Sequence, residues 1–304
     1  MKIKIQCPAK VNLTLKVVGK RPDGFHNIES IMQTIDLYDY LTIEKSPAEK
    51  FEIVLSGNSK EIPYNEKNLV YKAAKLFFET VSSPSPQPSP QGGEGEHPNY
   101  KISIYIEKNI PVAAGLAGGS TDAAGTLFGL NELFEKPLNK KELHELCAKL
   151  GSDLNVCLEG GRLMTKGRGE IIEPMEFEEF NLSLIKPKDL GISAKEAYTK
   201  FSEKNNKCHS EPACKQILRF AQNDVKGEES HKTRDYFLND LEWAIIDDYK
   251  ELQKIKTLYP NSMMSGSGST YFEIGGEFES LDGYEIYNNH KTIDKGVCIV
   301  KDLL

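Results

Sequence analysis

The stretch KNIPVAAGLAGGSTDAAGTLFGLNELF, residues 108–134, carries the densest chemical signal in the chain. It runs from a strand exit through Gly115, Gly118 and Gly119 into an apolar-periodic helix. Glycines let a backbone close on an anion and turn its N–H groups inward, and a helix N-terminus adds unpaired donors and partial positive charge. The candidate phosphate cradle is therefore Pro111, Val112, Ala113, Ala114, Gly115, Leu116, Ala117, Gly118, Gly119, Ser120 and Thr121. The hydroxyls of Ser120 and Thr121 either cap the helix or touch phosphate or metal. Asp122 could bind magnesium, although an acidic residue in a first helical turn is already favoured by the dipole. Two commoner cradles are excluded, because the chain has neither GxxxxGK[ST] with its lysine nor GxGxxG at this point.

The elements that must hold this loop are partly legible. Ile3, Ile5 and Cys7 alternate as a strand, and Leu13, Leu15 and Val17 resume the period of two after a break at Pro8. A tight turn follows at residues 21–24, RPDG. Leu41, Ile43, Ile53 and Leu55 suggest further strands, and Ile102, Ile104 and Ile106 give the one that feeds the loop. Leu69, Ala73, Leu76 and Phe77 have helical spacing. The same spacing predicts helices over 120–134 and through Leu143, Leu146, Cys147 and Leu150, parted by a turn at Pro137 and Asn139 and ending at Gly151. YFEI (271–274) and VCIVK (297–301) read as closing strands.

Two segments interrupt this order. Residues 82–98, SSPSPQPSPQGGEGEHP, have no apolar side chain except proline and are expected to be a disordered surface insertion. A second insertion is expected at about 203–234, with a short helix around Ile217 to Phe220. It holds Cys208, His209, Cys214 and His231, whose spacing does not match the usual zinc-finger patterns and reads as incidental.

Composition sets the class. At 304 residues, 39% hydrophobic and 27% charged, the chain is expected to be globular with two domains. The net charge of -7 argues against nucleic acid and for a small-molecule substrate. No apolar run approaches a membrane span, and MKIKIQCPAK lacks a signal-peptide core, so no membrane partner is expected and the expected location is the cytoplasm. The six cysteines show no CxxC spacing and are expected to be reduced.

PVAAGLAGGSTDAA resembles motif two of the GHMP kinases, the family of galactokinase, homoserine kinase, mevalonate kinase and phosphomevalonate kinase. Residues 8–43, PAKVNLTLKVVGKRPDGFHNIESIMQTIDLYDYLTI, resemble motif one in the branch acting on 4-diphosphocytidyl-2-C-methyl-D-erythritol, and MMSGSGSTYF (263–272) resembles motif three. The resemblance implies an α+β, two-domain fold. Residues 1–165 would form a nucleotide-binding domain like ribosomal protein S5 domain 2, and 166–304 an α/β-plait-like domain that closes the cleft. It also implies ATP and Mg2+ as cofactors, and transfer of the γ-phosphoryl group to the 2-hydroxyl of the cytidine-diphosphate methylerythritol, in the non-mevalonate route to isoprenoid precursors.

By the same resemblance Asp153 is the candidate base, and Lys10 the group that keeps it charged and neutralises the transferring phosphoryl. Asn12 would bond the methylerythritol hydroxyls, and alternation puts it on Lys10's face. Phe25 and His26 match an aromatic-His pair that stacks on and reads cytosine. Asn68, Leu69 and Lys108 match positions lining the ATP site, and Gly266 and Gly268 would bring backbone near both substrates. Three positions depart from the pattern: Phe25 where tyrosine is frequent, Asn155 where proline is common, and Ala117 where glycine is frequent. The rival readings are another GHMP kinase, of mevalonate or homoserine type, and a nucleotide-binding relative without catalysis.

Overall fold

A computed structural model describes residues 1–81, 100–210 and 239–300, with no side-chain detail for 207–210. The first insertion, the expected helix at 217–220, Cys214 and His231, and the side chains of Cys208 and His209 lie outside the described residues.

Alternating apolar residues build the first sheet, in the order β12 (Cys298–Ile299), β1 (Lys2–Asn12), β3 (His26–Pro47), β5 (Tyr100–Glu107), β4 (Glu52–Gly57). β2 (Lys16–Lys20) and β6 (Arg162–Lys166) also pair with β3, and β7 (Ile171–Pro174) pairs with β6. Every pairing is antiparallel except β4 with β5. The expected break at Pro8 does not occur. β1 runs through it, and the register against β3 shifts between Pro8 and Ala9, an irregularity at which a residue without an N–H is tolerated. The boundary expected near residue 165 falls in the β6–β7 hairpin, both strands of which belong to this sheet.

Three helices, α1 (Leu69–Val81), α2 (Gly118–Leu133) and α3 (Lys140–Leu150), cover the sheet, followed by the short α4 (Leu154–Glu159). Ile5, Leu41, Ile43, Ile102, Ile104 and Ile106 form a core with Phe77, Leu127, Leu130 and Leu146. Each such side chain contributes about 1.5–3 kcal/mol on full burial. α3 starts on a capping box, with Asn139 and Glu142 each accepting the other's backbone N–H. α2 lies directly on β1, because a Cβ at Gly125 would come within 2.4 Å of Cys7 Sγ.

The second sheet runs β11 (Tyr284–Lys291), β8 (Asn181–Pro187), β10 (Tyr271–Ile274), β9 (Met263–Met264). It packs with α5 (Ala194–Ser210), α6 (Asp240–Ile245) and α7 (Lys250–Leu258) around Ile185, Leu241, Ile255 and Tyr271. Cys7, Cys147, Cys157 and Cys298 are free thiols. Among the described residues no helix is long and apolar enough to cross a membrane.

Candidate active site

The glycine-rich loop leaves β5 at Lys108 and is gripped at once by Asp39, a fully buried carboxylate on β3. Asp39 Oδ1 accepts the backbone N–H groups of Asn109 (2.6 Å) and Ile110 (2.8 Å), and its Oδ2 pairs with Lys108 Nζ. Asp122 Oδ2 approaches the same ammonium at 3.4 Å. Burial lowers the pKa of Lys108, but Asp122 and Asp39 outweigh it and raise the ammonium above its ordinary value. Burial first, and then the neighbouring Asp39, push the Asp122 carboxyl well above the carboxylate range against the pull of Lys108.

Helix α2 begins at Gly118, not Ser120, and its N-cap is Ala117 in the left-handed region (φ 60°) with no side-chain cap. Ser120 and Thr121 therefore do not cap the helix; they lie inside its first turn. Ala117 fills a position where a Cβ is disfavoured, a strain of order 1 kcal/mol that glycine would avoid. Gly115 is required twice over: its φ is 74°, and a Cβ there would lie 2.0 Å from the Ser265 carbonyl oxygen. Gly115 O accepts from Lys10 Nζ (3.0 Å) and from Ser265 Oγ (2.9 Å).

Lys10 and Asn12 project from the same face of β1. Lys10 Nζ donates to Asn12 Oδ1 at 2.6 Å and stands 3.3 Å from Asp153 Oδ2. The lysine side chain is 3% exposed and the aspartate 29%, so the carboxylate is the member that substrate can reach. Asn12 Nδ2 is bound to Ser30 Oγ (2.8 Å), so both ends of this amide serve the protein. Asp153 is the N-cap residue of α4 but makes no side-chain cap bond, which leaves its carboxylate turned toward Lys10.

His26 stacks on Tyr198 of α5, with centroids 5.1 Å apart and planes inclined by 14°, and its Nε2 lies 2.9 Å from Ser202 Oγ. Burial, and secondarily Lys20, lower its pKa. Phe25 is 53% exposed at the lip, with the Arg168 guanidinium 5.1 Å from its ring centroid. Tyr198, Ser202 and Arg168 were not legible in the sequence; Tyr198 carried only the signal of an aromatic in a helical stretch.

These groups share one cleft of about 1010 Å³, lined by Lys10, Asn12, Phe25, His26, Asn68, Leu69, Lys108, Asp153, Gly266 and most of the glycine loop. Asn68 is held there as a helix cap, its Oδ1 accepting Val70 N–H at 2.9 Å. Leu116, Thr121 and Gly268 do not line it. Leu116 and Thr121 are buried behind the wall, and a Cβ at Gly268 would strike Met264 Sδ at 2.7 Å. These side-chain positions support the loop backbone instead. Among the described residues no group of three or more His, Cys, Asp or Glu is placed to hold a metal. Asn239, also unread in the sequence, donates from Nδ2 to the carbonyls of Met264 (2.7 Å) and Gly266 (2.9 Å) and so shapes the third glycine segment.

Residues 68–161 match the GHMP kinases N terminal domain. The chain is 38% identical to 4-diphosphocytidyl-2-C-methyl-D-erythritol kinase of Thermoanaerobacter pseudethanolicus, over 97% of this chain and 98% of that one. It is 39% identical to the same-named protein of Clostridium tetani, over 89% and 90%. A crystal structure of 4-(cytidine 5'-diphospho)-2C-methyl-D-erythritol kinase superposes with a TM-score of 0.67 at 24% identity, covering 96% of this chain and 99% of that one. A mevalonate kinase structure gives 0.65 at 14% identity, over 96% and 100%. At those identities the two structures speak for the two-domain α+β fold alone, whereas the sequence relatives decide the branch. The chain belongs to the 4-diphosphocytidyl-2-C-methyl-D-erythritol kinase family of the GHMP kinases.

Proposed function

We propose that this chain transfers the γ-phosphoryl group of ATP to the 2-hydroxyl of 4-diphosphocytidyl-2-C-methyl-D-erythritol. The observation that carries this reading is the Lys10–Asp153 pair, 3.3 Å apart, in the cleft shared by the glycine loop and the Phe25–His26 pocket. Asp153 takes the proton of the attacking hydroxyl. The freed oxygen bonds to the γ-phosphorus, the β–γ bridging P–O bond breaks, and ADP leaves. Lys10 needs no rearrangement to act: Asn12 Oδ1 and Gly115 O fix its ammonium between base and phosphate loop. Its charge opposes the charge developing on the phosphoryl oxygens. The left-handed turns at Gly115 and Ala117 lead the backbone of the loop into the helix start, where donors for phosphate gather.

Magnesium binds ATP-type sites with few protein ligands, chiefly phosphate oxygens and water. The residues present fit that mode, since Ser120 offers a hydroxyl on the cleft wall and Asp122, whose Oδ2 approaches Lys108 at 3.4 Å, keeps an Oδ1 unpartnered among the described residues. When bound, the ion would neutralise phosphate charge. Burial holds the His26 pKa below its ordinary value, and with Nε2 beside Ser202 Oγ its Nδ1 is the ring nitrogen left to meet a base edge, with Phe25 as the apolar surface beside it.

The test is ADP release with the cytidine-diphosphate acceptor, mevalonate and homoserine in parallel. Turnover with the first alone is expected. Turnover with mevalonate or homoserine would remove the acceptor assignment, and none with any acceptor would favour a binding protein.

A further inference from the structure

A series of contacts runs from the proposed base to the acceptor lip and has no part in the scheme above. Asn155 sits in the first turn of α4, two residues past Asp153, and is buried. Its Nδ2 donates to the Glu170 carbonyl at 2.8 Å, and its Oδ1 accepts from His144 Nδ1 at 3.1 Å. Glu170 in turn organises the turn at 167–170. Its Oε2 accepts the Arg168 backbone N–H at 2.6 Å, and its Oε1 lies 3.7 Å from Arg168 Nε. Gly167 O accepts Ile28 N–H at 2.8 Å, which ties this turn to the strand that carries His26. Gly169 packs on Ser152, where a Cβ would sit 3.3 Å from that residue's Cβ. One turn therefore touches both the residue before Asp153 and the strand beyond Phe25.

Arg168 is what this turn presents to the cleft. Its guanidinium stands over Phe25, and among the described residues its terminal nitrogens donate no hydrogen bond. A planar cation with free N–H donors at a lip suits the oxygens of an anionic group. The acceptor proposed above carries such a group in its diphosphate.

We infer that Arg168 is a specificity-determining residue that binds the acceptor's diphosphate, and that Asn155, through Glu170, is the positioning residue that sets Arg168 against the Asp153 carboxylate. This rests on the acceptor named under the proposed function. In this chain the side chain of Asn155 supplies by hydrogen bonding a constraint that a proline at that position would supply through its ring.

The experiment measures steady-state kinetics of the full chain with ATP and the cytidine-diphosphate acceptor, and competition by CDP and by cytidine. Wild-type turnover tests the acceptor reading by itself. Given that turnover, Arg168→Ala is expected to raise the acceptor KM about tenfold or more, as for loss of a charged hydrogen bond, with ATP KM and kcat within about twofold. CDP should weaken as a competitor by a similar factor and cytidine should not. Asn155→Asp, which keeps the shape and removes the Nδ2 donor, should raise the acceptor KM and also lower kcat. Adding it to Arg168→Ala should leave the acceptor KM no higher than in Arg168→Ala alone. An unchanged acceptor KM in Arg168→Ala, equal weakening of CDP and cytidine, or additive effects in the double variant would each overturn the inference. Should Asn155→Asp fail to fold, the competition arm with Arg168→Ala still decides it.

Discussion

The buried triad of Asp39, Lys108 and Asp122 makes an asymmetric prediction, because its two carboxylates look alike in composition and differ in partners: Asp39 accepts two backbone N–H groups, whereas Asp122 Oδ1 accepts none among the described residues. Asp39→Asn removes a charge that accepts two backbone N–H groups and pairs with Lys108. The amide must also turn a donor toward one of those three donors. Losing charge-assisted bonds at a site with no exposure costs about 3 kcal/mol. With an unfolding entropy of about 2 cal/mol/K per residue over 304 residues, that lowers Tm by about 5 °C. ATP KM should rise as well, since the loop entry and Lys108 are both released.

Asp122→Asn replaces a carboxyl that burial pushes toward its neutral form by an amide of the same shape. It should cost less than about 1 kcal/mol at pH 7. Its pH dependence has a definite sign. A carboxyl raised in the folded state contributes most below its unfolded pKa and loses that contribution as pH climbs toward the folded value. Asp122→Asn lacks the group, so its Tm relative to wild type should improve as pH rises above about 4. Calorimetric scans of both variants from pH 4 to 8 measure this. If Asp122→Asn cost as much as Asp39→Asn at pH 7, or if its gap to wild type stayed flat with pH, the Asp122 carboxyl would not be raised in the folded state.

Asp153→Asn should lower kcat at least about a hundredfold while ATP KM stays near wild type, because the role proposed for the carboxylate is on the acceptor hydroxyl. Equal loss of ATP affinity would argue against that role. Gly115→Ala should cost about 3 kcal/mol from steric clash and positive φ, read as a lower Tm together with a higher ATP KM. Stability lost with ATP KM intact would detach the Ser265 contact from nucleotide binding. The depressed pKa of His26 predicts an acceptor KM that is flat from pH 8 to about 6.5 and rises on further acidification, a limb that His26→Gln should abolish. Persistence of the limb in that variant would assign it to another group.

What the sequence made legible were features encoded within a few residues of one another. Ile102, Ile104 and Ile106 alternate because one face of β5 is core, and the spacing in Leu143, Leu146 and Cys147 marks the buried side of α3. The start of α2 was misplaced because Ser120 has the chemistry of a cap, while the backbone turns at Ala117, a residue with no capping signal. Most of β3 was missed because its partners change along its length: β2 and β6 near His26, β1 through the middle, β5 toward Pro47. No single alternation survives that. Asp39, Asn239, Tyr198 and Arg168 could not be singled out, since what distinguishes each is a partner far away in the chain. Lys10 and Asp153 stood out only through family resemblance, for the same reason.

The carbonyl of Gly115 shows why three remote segments must occur together. It is drawn in by the tight turn of the loop and accepts two donors, the ammonium of Lys10 from the first segment and the hydroxyl of Ser265 from the third. Ser265 Oγ also accepts the N–H of Asn12 at 3.3 Å, and Asn12 Oδ1 accepts Lys10. Each segment thus leaves polar groups that another segment satisfies, and an unsatisfied buried group costs about 1–3 kcal/mol. The ammonium that balances Asp153 is the same one that closes the phosphate loop. The charge pair proposed for catalysis and the loop geometry in this cleft are therefore fixed by one set of bonds, and neither can be altered without disturbing the other.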